Sequence, residues 1–189
     1  MTEAKVGGNI LFARRAFAQE RGGDLLWKRV LARLPADDAA QLSRVMLVTS
    51  SYPLALNLRL DAAIVAELSP HDPDRVFLEM GRASADTNLT GPQRGFVKAG
   101  DPHYLLSLTE TIYAYYYSVG SRTYQSTGPA SAKLTTSDAP PATPGDCLTV
   151  VGWHRRAIEL SGGDDVQVTE TRCRHRGDPV CEYACSWRL

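Results

Sequence analysis

Two cysteines placed symmetrically about a glycine constrain the fold of this chain more than any other feature. Cys173 and Cys181 flank the segment Arg-Gly-Asp-Pro at 176–179, which has the composition of a turn between two β-like runs. If the turn is centred on Gly177, the two cysteines lie opposite each other in an antiparallel hairpin. Directly opposite residues project from one face with Cβ atoms about 4.5–5.5 Å apart. The sequence therefore predicts a C-terminal hairpin with two neighbouring thiols.

Two thiols so placed can both bind one zinc ion, at sulfur–zinc distances of about 2.3 Å. The remaining ligands must come from elsewhere in the chain. Cys147 lies in the first turn of a predicted helix, where the helix N-terminus favours a thiolate. Glu170 joins the site only if its strand is irregular, because simple alternation places it on the opposite face. Cys185 and His175 compete for the fourth position.

Other interpretations of the cysteines stay open at this point. Cysteine is among the most buried residue types, so each thiol is also a candidate core residue. A disulfide between Cys173 and Cys181 is geometrically feasible, although a reducing compartment disfavours it. A catalytic thiol would need a neighbouring base, for which His154 and His175 are the candidates.

Composition and charge narrow the class of protein. The 189 residues fit a single domain over 1–189, and Lys plus Arg equals Asp plus Glu at 21 each. This balance gives no support for a nucleic-acid partner, and it favours self-association. No apolar run approaches the roughly 20 residues of a membrane span. Because the charged start also lacks a signal peptide, we expect a cytoplasmic protein.

The spacing of apolar residues and the positions of proline and glycine predict an α+β fold, in which an N-terminal helical layer packs on a small antiparallel sheet. Residues 1–119 are mainly helical, and 120–189 form a strand hairpin, a helix and a second strand hairpin. The predicted helices cover 24–34, 54–68, 72 or 74 to 80, 102 to the glycine at 120, and 147–160, the last capped by Asp146; the predicted strands cover 122–127, 132–137, 166–174 and 180–187. A proline-rich connection is predicted at 139–145.

Aromatic residues cluster at the end of the helix that begins near 102. Contiguous positions sweep around a helix, so they cannot all face one way. Core packing, the walls of an aromatic ligand pocket and a dimer interface are the three roles open to them. The candidates for a ligand pocket are Tyr113, Tyr116, Tyr117, Tyr124 and Trp153.

Catalytic motifs are missing from the sequence. It contains no G-x-S-x-G, no Walker loop, no dinucleotide fingerprint and no pair of histidines at helical i, i+4 spacing. We therefore expect that the protein is not an enzyme, with a reductase accessory factor as the alternative. Haem ligation by one of the four histidines also stays open.

The residues Glu170, Cys173, Gly177 and Cys181 form the pattern E-x-x-C-x-x-x-G-x-x-x-C. This pattern resembles the signature that closes 4-vinyl reductase domains. Across the whole length, with Gly7-Gly8 near the start and Gly152-Trp153 before the last strands, the chain is similar to a myxobacterial paralogous family of about this length.

The resemblance implies a fold shared by 4-vinyl reductase proteins, nitric-oxide signalling domains and Golgi-transport (vesicle-tethering) components. This fold is commonly dimeric, so we expect a homodimer. It also implies a structural zinc ion, because related sensor domains hold zinc with one upstream Cys followed by Glu, Cys and Cys. By motif position these ligands are Cys147, Glu170, Cys173 and Cys181.

Two functions follow from the resemblance. The first is a zinc-containing sensory module in bacterial signalling that binds a small hydrophobic or aromatic ligand. The alternative is a protein-interaction or scaffold subunit that resembles the vesicle-tethering components, binds a protein partner and has no small-molecule ligand.

Overall fold

Helices dominate the first two thirds of the chain and strands the last third, as the sequence predicts. The computed structural model describes residues 3–140 and 143–188, so positions 141 and 142 of the predicted proline-rich connection lie outside the described residues. The helices are α1 (Gly8–Ala32), α2 (Ala36–Ser43), α3 (Leu54–Leu68), α4 (Pro73–Leu89), α5 (Pro102–Ser107), α6 (Thr109–Tyr116) and α7 (Pro144–Leu160). The strands are β1 (Lys5–Gly7), β2 (Ser51–Pro53), β3 (Ser121–Gly128), β4 (Ser131–Ser137), β5 (Asp164–Arg172) and β6 (Cys181–Arg188).

Proline at the first position and a side-chain cap before it begin three of these helices. Asp72 accepts a hydrogen bond from a backbone N–H at the start of α4, and Asp101 does so at the start of α5. Thr143 Oγ1 accepts from the N–H of Asp146 at 3.1 Å, so α7 begins before the predicted cap. The prediction that Asp146 caps this helix is therefore wrong, because the threonine and the following proline already start it.

The two predicted C-terminal hairpins join into one sheet. All pairings are antiparallel and the strand order is β3-β4-β6-β5, so the second strand of each hairpin meets the other at the centre. A second, two-stranded ribbon pairs β1 with β2. These three-residue strands were not predicted, because they are too short for an alternating pattern to show.

The helical layer differs from the prediction in the positions at which its helices are interrupted. Helix α1 is longer than predicted and is interrupted at Gly22 and Gly23, where Gly23 has φ 62°, so the predicted helix start at Asp24 marks its second half. The helix predicted from 102 onward is divided at Leu108 into α5 and α6. None of the helices in the described part of the chain is long and apolar enough to cross a membrane.

Helices α4 and α7 touch backbone to backbone. A Cβ atom added at Gly81 would lie 2.1 Å from the carbonyl oxygen of Thr149, and one added at Gly152 would lie 2.1 Å from that of Leu78. No side chain therefore fits between the two helices at this crossing. The contact places the middle of α7 in the centre of the molecule, between the helical layer and the sheet.

We expect Gly152→Ala to lower the free energy of unfolding by about 1–3 kcal/mol, because the added methyl group must push α4 and α7 apart. The better helix propensity of alanine opposes this loss only in part. Urea denaturation measures the difference. Gly95→Ala is the matched control, since no atom lies within 4 Å of the added methyl group there. Equal stability of the two variants would contradict the close contact.

Candidate functional site

An interior cavity of about 40 Å³ lies where α1, α4, α6, α7 and β3 meet. Four of the five predicted pocket residues line it: Tyr113, Tyr116, Tyr117 and Trp153. A second space of about 20 Å³ shares Tyr113, Tyr117, Arg122 and Val150 with the first. The two spaces are therefore neighbours, with the same tyrosine rings in their walls.

Tyr124, the fifth predicted pocket residue, lies elsewhere. Its hydroxyl is 2.7 Å from Nδ1 of His103, whose other ring nitrogen is 3.0 Å from the carbonyl oxygen of Pro129. Tyr124 lies two residues beyond Arg122 on β3, so it is on the same face of the sheet but about 6–7 Å further along the strand, away from the cavity. Both nitrogens of His103 are consequently engaged in hydrogen bonds.

The aromatic walls of the cavity are held by hydrogen bonds and ring contacts. Tyr116 donates to Oε1 of Gln93 at 2.9 Å, and Tyr113 donates to the carbonyl oxygen of Val119 at 3.0 Å. The rings of Tyr113 and Tyr117 stack with centroids 4.9 Å apart. Burial raises the pKa of all three tyrosines, so they stay protonated near neutral pH.

Trp153 brings an unsatisfied donor to the cavity. Its ring meets that of Tyr116 edge to face at 5.8 Å, and its indole nitrogen is buried without a hydrogen-bond partner among the described residues. An indole N–H can only donate, so an occupant of the cavity with an acceptor atom would satisfy it.

Two buried arginines face the cavity in different states. Arg14 forms a bidentate ion pair with Asp61, with nitrogen–oxygen distances of 2.7 and 3.2 Å, and both side chains are buried. Arg122 is only 8% exposed, yet no carboxylate oxygen of the described residues lies within 4.0 Å of it. Its Nε donates to Thr136 Oγ1 at 2.9 Å, and its guanidinium lies 5.0 Å from the ring centre of Tyr113. Arg122 therefore forms no ion pair among the described residues, and the acidic group that shares a space with it is the buried carboxyl of Asp146, whose charged form Arg122 stabilises.

His154 is a neutral side chain in the cavity wall. Its Nδ1 lies 2.9 Å from the carbonyl oxygen of Val150, which makes Nδ1 the donor and leaves Nε2 as the acceptor. Burial lowers the pKa of His154 to about 3. The ring lies between those of Trp153 and Tyr183.

Sequence reasoning missed the polar residues of the cavity. Arg14 had a signal, because it falls four residues after Ile10 and three before Phe17, on the apolar face of α1. Arg122 had none, since an arginine in a polar strand is ordinarily exposed.

The predicted metal ligands come together at the N-terminal end of α7. The ligand atoms of Cys147, Glu170, Cys173 and Cys181 all lie within 4.8 Å of one another. Cys147 Sγ is 3.6 Å from Cys173 Sγ and 3.9 Å from Cys181 Sγ. This cluster of three thiols and one carboxylate, here called the thiol cluster, joins α7 to the β5–β6 hairpin.

Glu170 reaches the thiol cluster through an irregularity in the sheet. The register of β5 against β6 shifts between Glu170 and Arg172, which is the bulge that the sequence argument required. One carboxylate oxygen, Oε2, accepts from Arg176 at 3.1 Å, and the other is buried with no hydrogen-bond partner in the part of the chain that the structure describes. Cys185 pairs with Ala132 further along β6, and His175 is exposed, so neither belongs to the cluster.

Hydrogen bonds favour a thiolate at Cys181. The Cys147 thiol donates to it, and so do the backbone N–H and Nε of Arg174, each at 3.4 Å. These contacts lower the pKa of Cys181 to about 5, whereas the pKa of Cys147 is raised because that thiol keeps its proton in the bond to Cys181. A thiolate next to two further thiols and a carboxylate is a donor set of the kind that binds metal ions.

Comparisons with known proteins identify the fold. A model of the family described as "Protein of unknown function (DUF2378)" matches residues 25–188. A crystal structure of an H-NOX protein from S. oneidensis in the Fe(II)NO state is similar with a TM-score of 0.75 and 16% identity, over 97% of this chain and 99% of that one. An unliganded Fe(II) H-NOX mutant from K. algicida gives 0.71 and 10%, over 97% of both chains. No curated protein matches the chain.

These comparisons confirm the α+β class and correct two other predictions. The similarity to 4-vinyl reductase domains finds no support among these matches, whose fold is that of H-NOX proteins. The prediction of a structural zinc ion as the cofactor is wrong, because the neighbouring structures are iron and haem proteins. Metal binding by the four residues of the thiol cluster is a separate point and stays a prediction.

Elemental analysis of protein purified without added metal tests that ligand set. We expect one metal ion per chain, and its loss in Cys173→Ser, since one of four ligands is removed. Cys185→Ser is the matched control: it is an equally buried thiol outside the cluster, so the metal content should not change. Folded, reduced protein that carries no metal would contradict the prediction.

Stability should fall in mild acid because of His154. The pKa of His154 in the folded protein is lowered to about 3, below the unfolded value of about 6.5. Its contribution to the free energy of unfolding is therefore fully present above about pH 6.5 and is lost as the pH falls. We expect the protein to lose about 2 kcal/mol between pH 7 and pH 5 relative to His154→Phe, which cannot titrate. Urea denaturation at several pH values measures this, and the exposed His71→Gln should behave like the unchanged protein. Parallel pH curves for His154→Phe and the unchanged protein would rule out a buried neutral histidine.

Proposed function

We propose that this chain, which belongs to the family described as Protein of unknown function (DUF2378), is a sensory domain that binds a small molecule in its interior cavity. The observation that carries the proposal is the buried guanidinium of Arg122, which forms no ion pair among the described residues and shares only the neighbouring 20 Å³ space with a carboxyl, that of Asp146. A buried charge is costly unless it is paired. A ligand with a negatively charged oxygen would supply the missing partner.

The cavity defines the rest of the ligand. Arg122, the indole N–H of Trp153 and Nε2 of His154 bring donors and an acceptor to walls that otherwise consist of tyrosine rings and aliphatic groups. The space of about 40 Å³ is far below the 300–1,000 Å³ typical of pockets for larger ligands. We therefore infer a compact ligand of a few non-hydrogen atoms, such as a small carboxylate.

Haem, which the H-NOX neighbours contain, does not fit the residues as they are arranged here. The cavity is too small for a macrocycle because tyrosine and tryptophan rings fill the space between the helices and the sheet. His103 has both ring nitrogens in hydrogen bonds, and His154 faces only the 40 Å³ space. No step of the proposed function runs through haem.

The protonation states of the cavity residues agree with a site that binds a ligand and does not catalyse a reaction. The tyrosines hold their protons near neutral pH, and the lowered pKa of His154 makes it a poor base. A residue that moves protons in catalysis has a pKa near the working pH; none of these residues does, and the carboxyl whose pKa burial raises to about 6, Asp146, lies in the neighbouring 20 Å³ space. We infer a receptor that changes shape on binding, and not an enzyme.

Helix α7 offers the path for a signal. It carries Val150, Trp153 and His154 in the cavity wall and Cys147 in the thiol cluster, so a ligand that shifts this helix also shifts the β5–β6 hairpin. Because α4 is locked against α7 at the two glycines, the shift is transmitted to the helical layer as well.

The probes are sodium acetate and sodium formate, compared with sodium chloride at equal ionic strength. A ligand at ten times its Kd stabilises the folded state by about 1.4 kcal/mol, which corresponds to about 4 °C in Tm for a domain of this size. We expect a carboxylate to raise the Tm and change the tryptophan fluorescence of the unchanged protein but not of Arg122→Gln. Gln keeps a donor for Thr136 but loses the charge.

Arg75→Gln is the matched control, since it removes an exposed arginine far from the cavity walls. Equal shifts in Arg122→Gln, or no shift with either carboxylate, would contradict the proposal. Haemin is titrated in parallel and followed by absorbance. Saturable binding of one haem per chain would show that the interior opens, and would replace the compact ligand with haem.

A further inference from the structure

A third space, open to solvent and much larger than the interior cavity, lies on the opposite side of the first turn of α1. This groove has a volume of about 730 Å³, within the range of pockets that bind drug-sized molecules. It runs between the loop before β2, the start of α1, the segment after α4, and helices α5 and α6. It shares no lining residue with the interior cavity.

The floor of the groove contains a buried donor with nothing to bind. Asn9 lines the groove and is only 7% exposed, and its Nδ2 has no hydrogen-bond partner among the described residues. Buried amide groups are almost always paired, so an unpaired one in the wall of a ligand-sized groove indicates a missing acceptor.

The walls of the groove are aromatic and apolar. Phe96 and Tyr115 meet edge to face at 5.8 Å, and Tyr115 is 60% exposed. Val48 and Tyr104 are also exposed on the same groove, at 47% and 40%. Such faces suit a flat ring, which gains from apolar contact and ring stacking.

No Asp, Glu, Lys, Arg or His lines this groove within the parts of the chain that the structure describes. Next to the groove, Lys98 over the ring of Tyr104 pairs with Asp101 at 3.0 Å, and Arg94, between two lining residues, is exposed to solvent. A charged ligand would therefore find no charged partner among the lining residues. The lining favours an uncharged occupant.

We propose that this groove is a second ligand site, which binds a planar, uncharged aromatic molecule with a carbonyl or ring-nitrogen acceptor. The acceptor receives the N–H of Asn9 Nδ2, and the ring lies against Phe96 and Tyr115. This site is separate from the compact-ligand cavity, and its existence does not depend on that proposal.

The groove and the cavity are nevertheless connected by one hydrogen bond. Gln93 lines the groove and accepts from the hydroxyl of Tyr116, which lines the cavity. A ring that displaces Gln93 would therefore free the Tyr116 hydroxyl in the cavity wall. Occupation of one site would change the affinity of the other.

The probe is benzamide, which is flat, uncharged and carries a carbonyl acceptor; benzoate has the same ring and a negative charge. Two-dimensional amide NMR of the full chain locates and quantifies binding. We expect benzamide to shift the side-chain amide signal of Asn9 and the backbone signals of 93–96, and benzoate to leave them unchanged. In Asn9→Leu the Kd for benzamide should rise about tenfold, as for the loss of one hydrogen bond.

Because Asn9 is buried, a second variant keeps the test independent of folding. Tyr115→Ala removes an exposed ring and should weaken benzamide binding, whereas Glu110→Ala, an exposed change on the same helix outside the groove, should not. Arg122→Gln should still bind benzamide, which separates this site from the cavity. Three outcomes would overturn the proposal: equal binding of benzoate, shifts confined to cavity residues, or groove signals that move with protein concentration alone and so indicate a second copy of the chain.

Discussion

Direct contact between the backbones of α4 and α7 positions everything that this structure offers for function. Gly81 and Gly152 leave no room for a side chain at the crossing, so α7 lies at a fixed depth between the helical layer and the sheet. Its first turn then meets the β5–β6 hairpin, which assembles the thiol cluster, and its middle turns form one wall of the cavity. Two sites that are unrelated in chemistry are thereby held by one helix.

The interior contains two buried arginines, Arg14 and Arg122, whose charges are compensated in different ways. Arg14 is compensated by Asp61, which in turn accepts a weak bond from Asn57 at 3.4 Å. Removing one member of such a buried pair costs about 3–5 kcal/mol, so this pair fixes α1 against α3. Arg122 bonds to a threonine hydroxyl, lies against two tyrosine rings and interacts with the Asp146 carboxyl without forming an ion pair. The charge of Arg14 is therefore compensated directly and that of Arg122 only indirectly.

The sequence predicted what depends on local spacing and missed what depends on tertiary contact. The symmetry of Cys173 and Cys181 about Gly177 is a property of one hairpin, and α3 was predicted with its observed bounds from prolines at both ends. Glu170 needed a bulge that only the pairing of β5 with β6 reveals, and the burial of Arg122 arises from helices far away in the sequence. The single domain, the homodimer, the protein partner and the cytoplasmic location stay predictions.

Aromatic side chains occupy the space between the helices and the sheet in this chain, whose fold is similar to that of haem proteins. The rings of Tyr113, Tyr116, Tyr117 and Trp153 fill most of the space between helices and sheet, and each brings a polar atom with it. One of these atoms, the Tyr116 hydroxyl, bonds to Gln93 at the edge of the outer groove. Filling the interior in this way therefore connects the centre of the molecule to its surface through a single side-chain contact. A change at either end of that contact alters the hydrogen bond that the other end makes, so the two spaces are coupled through Gln93 and Tyr116.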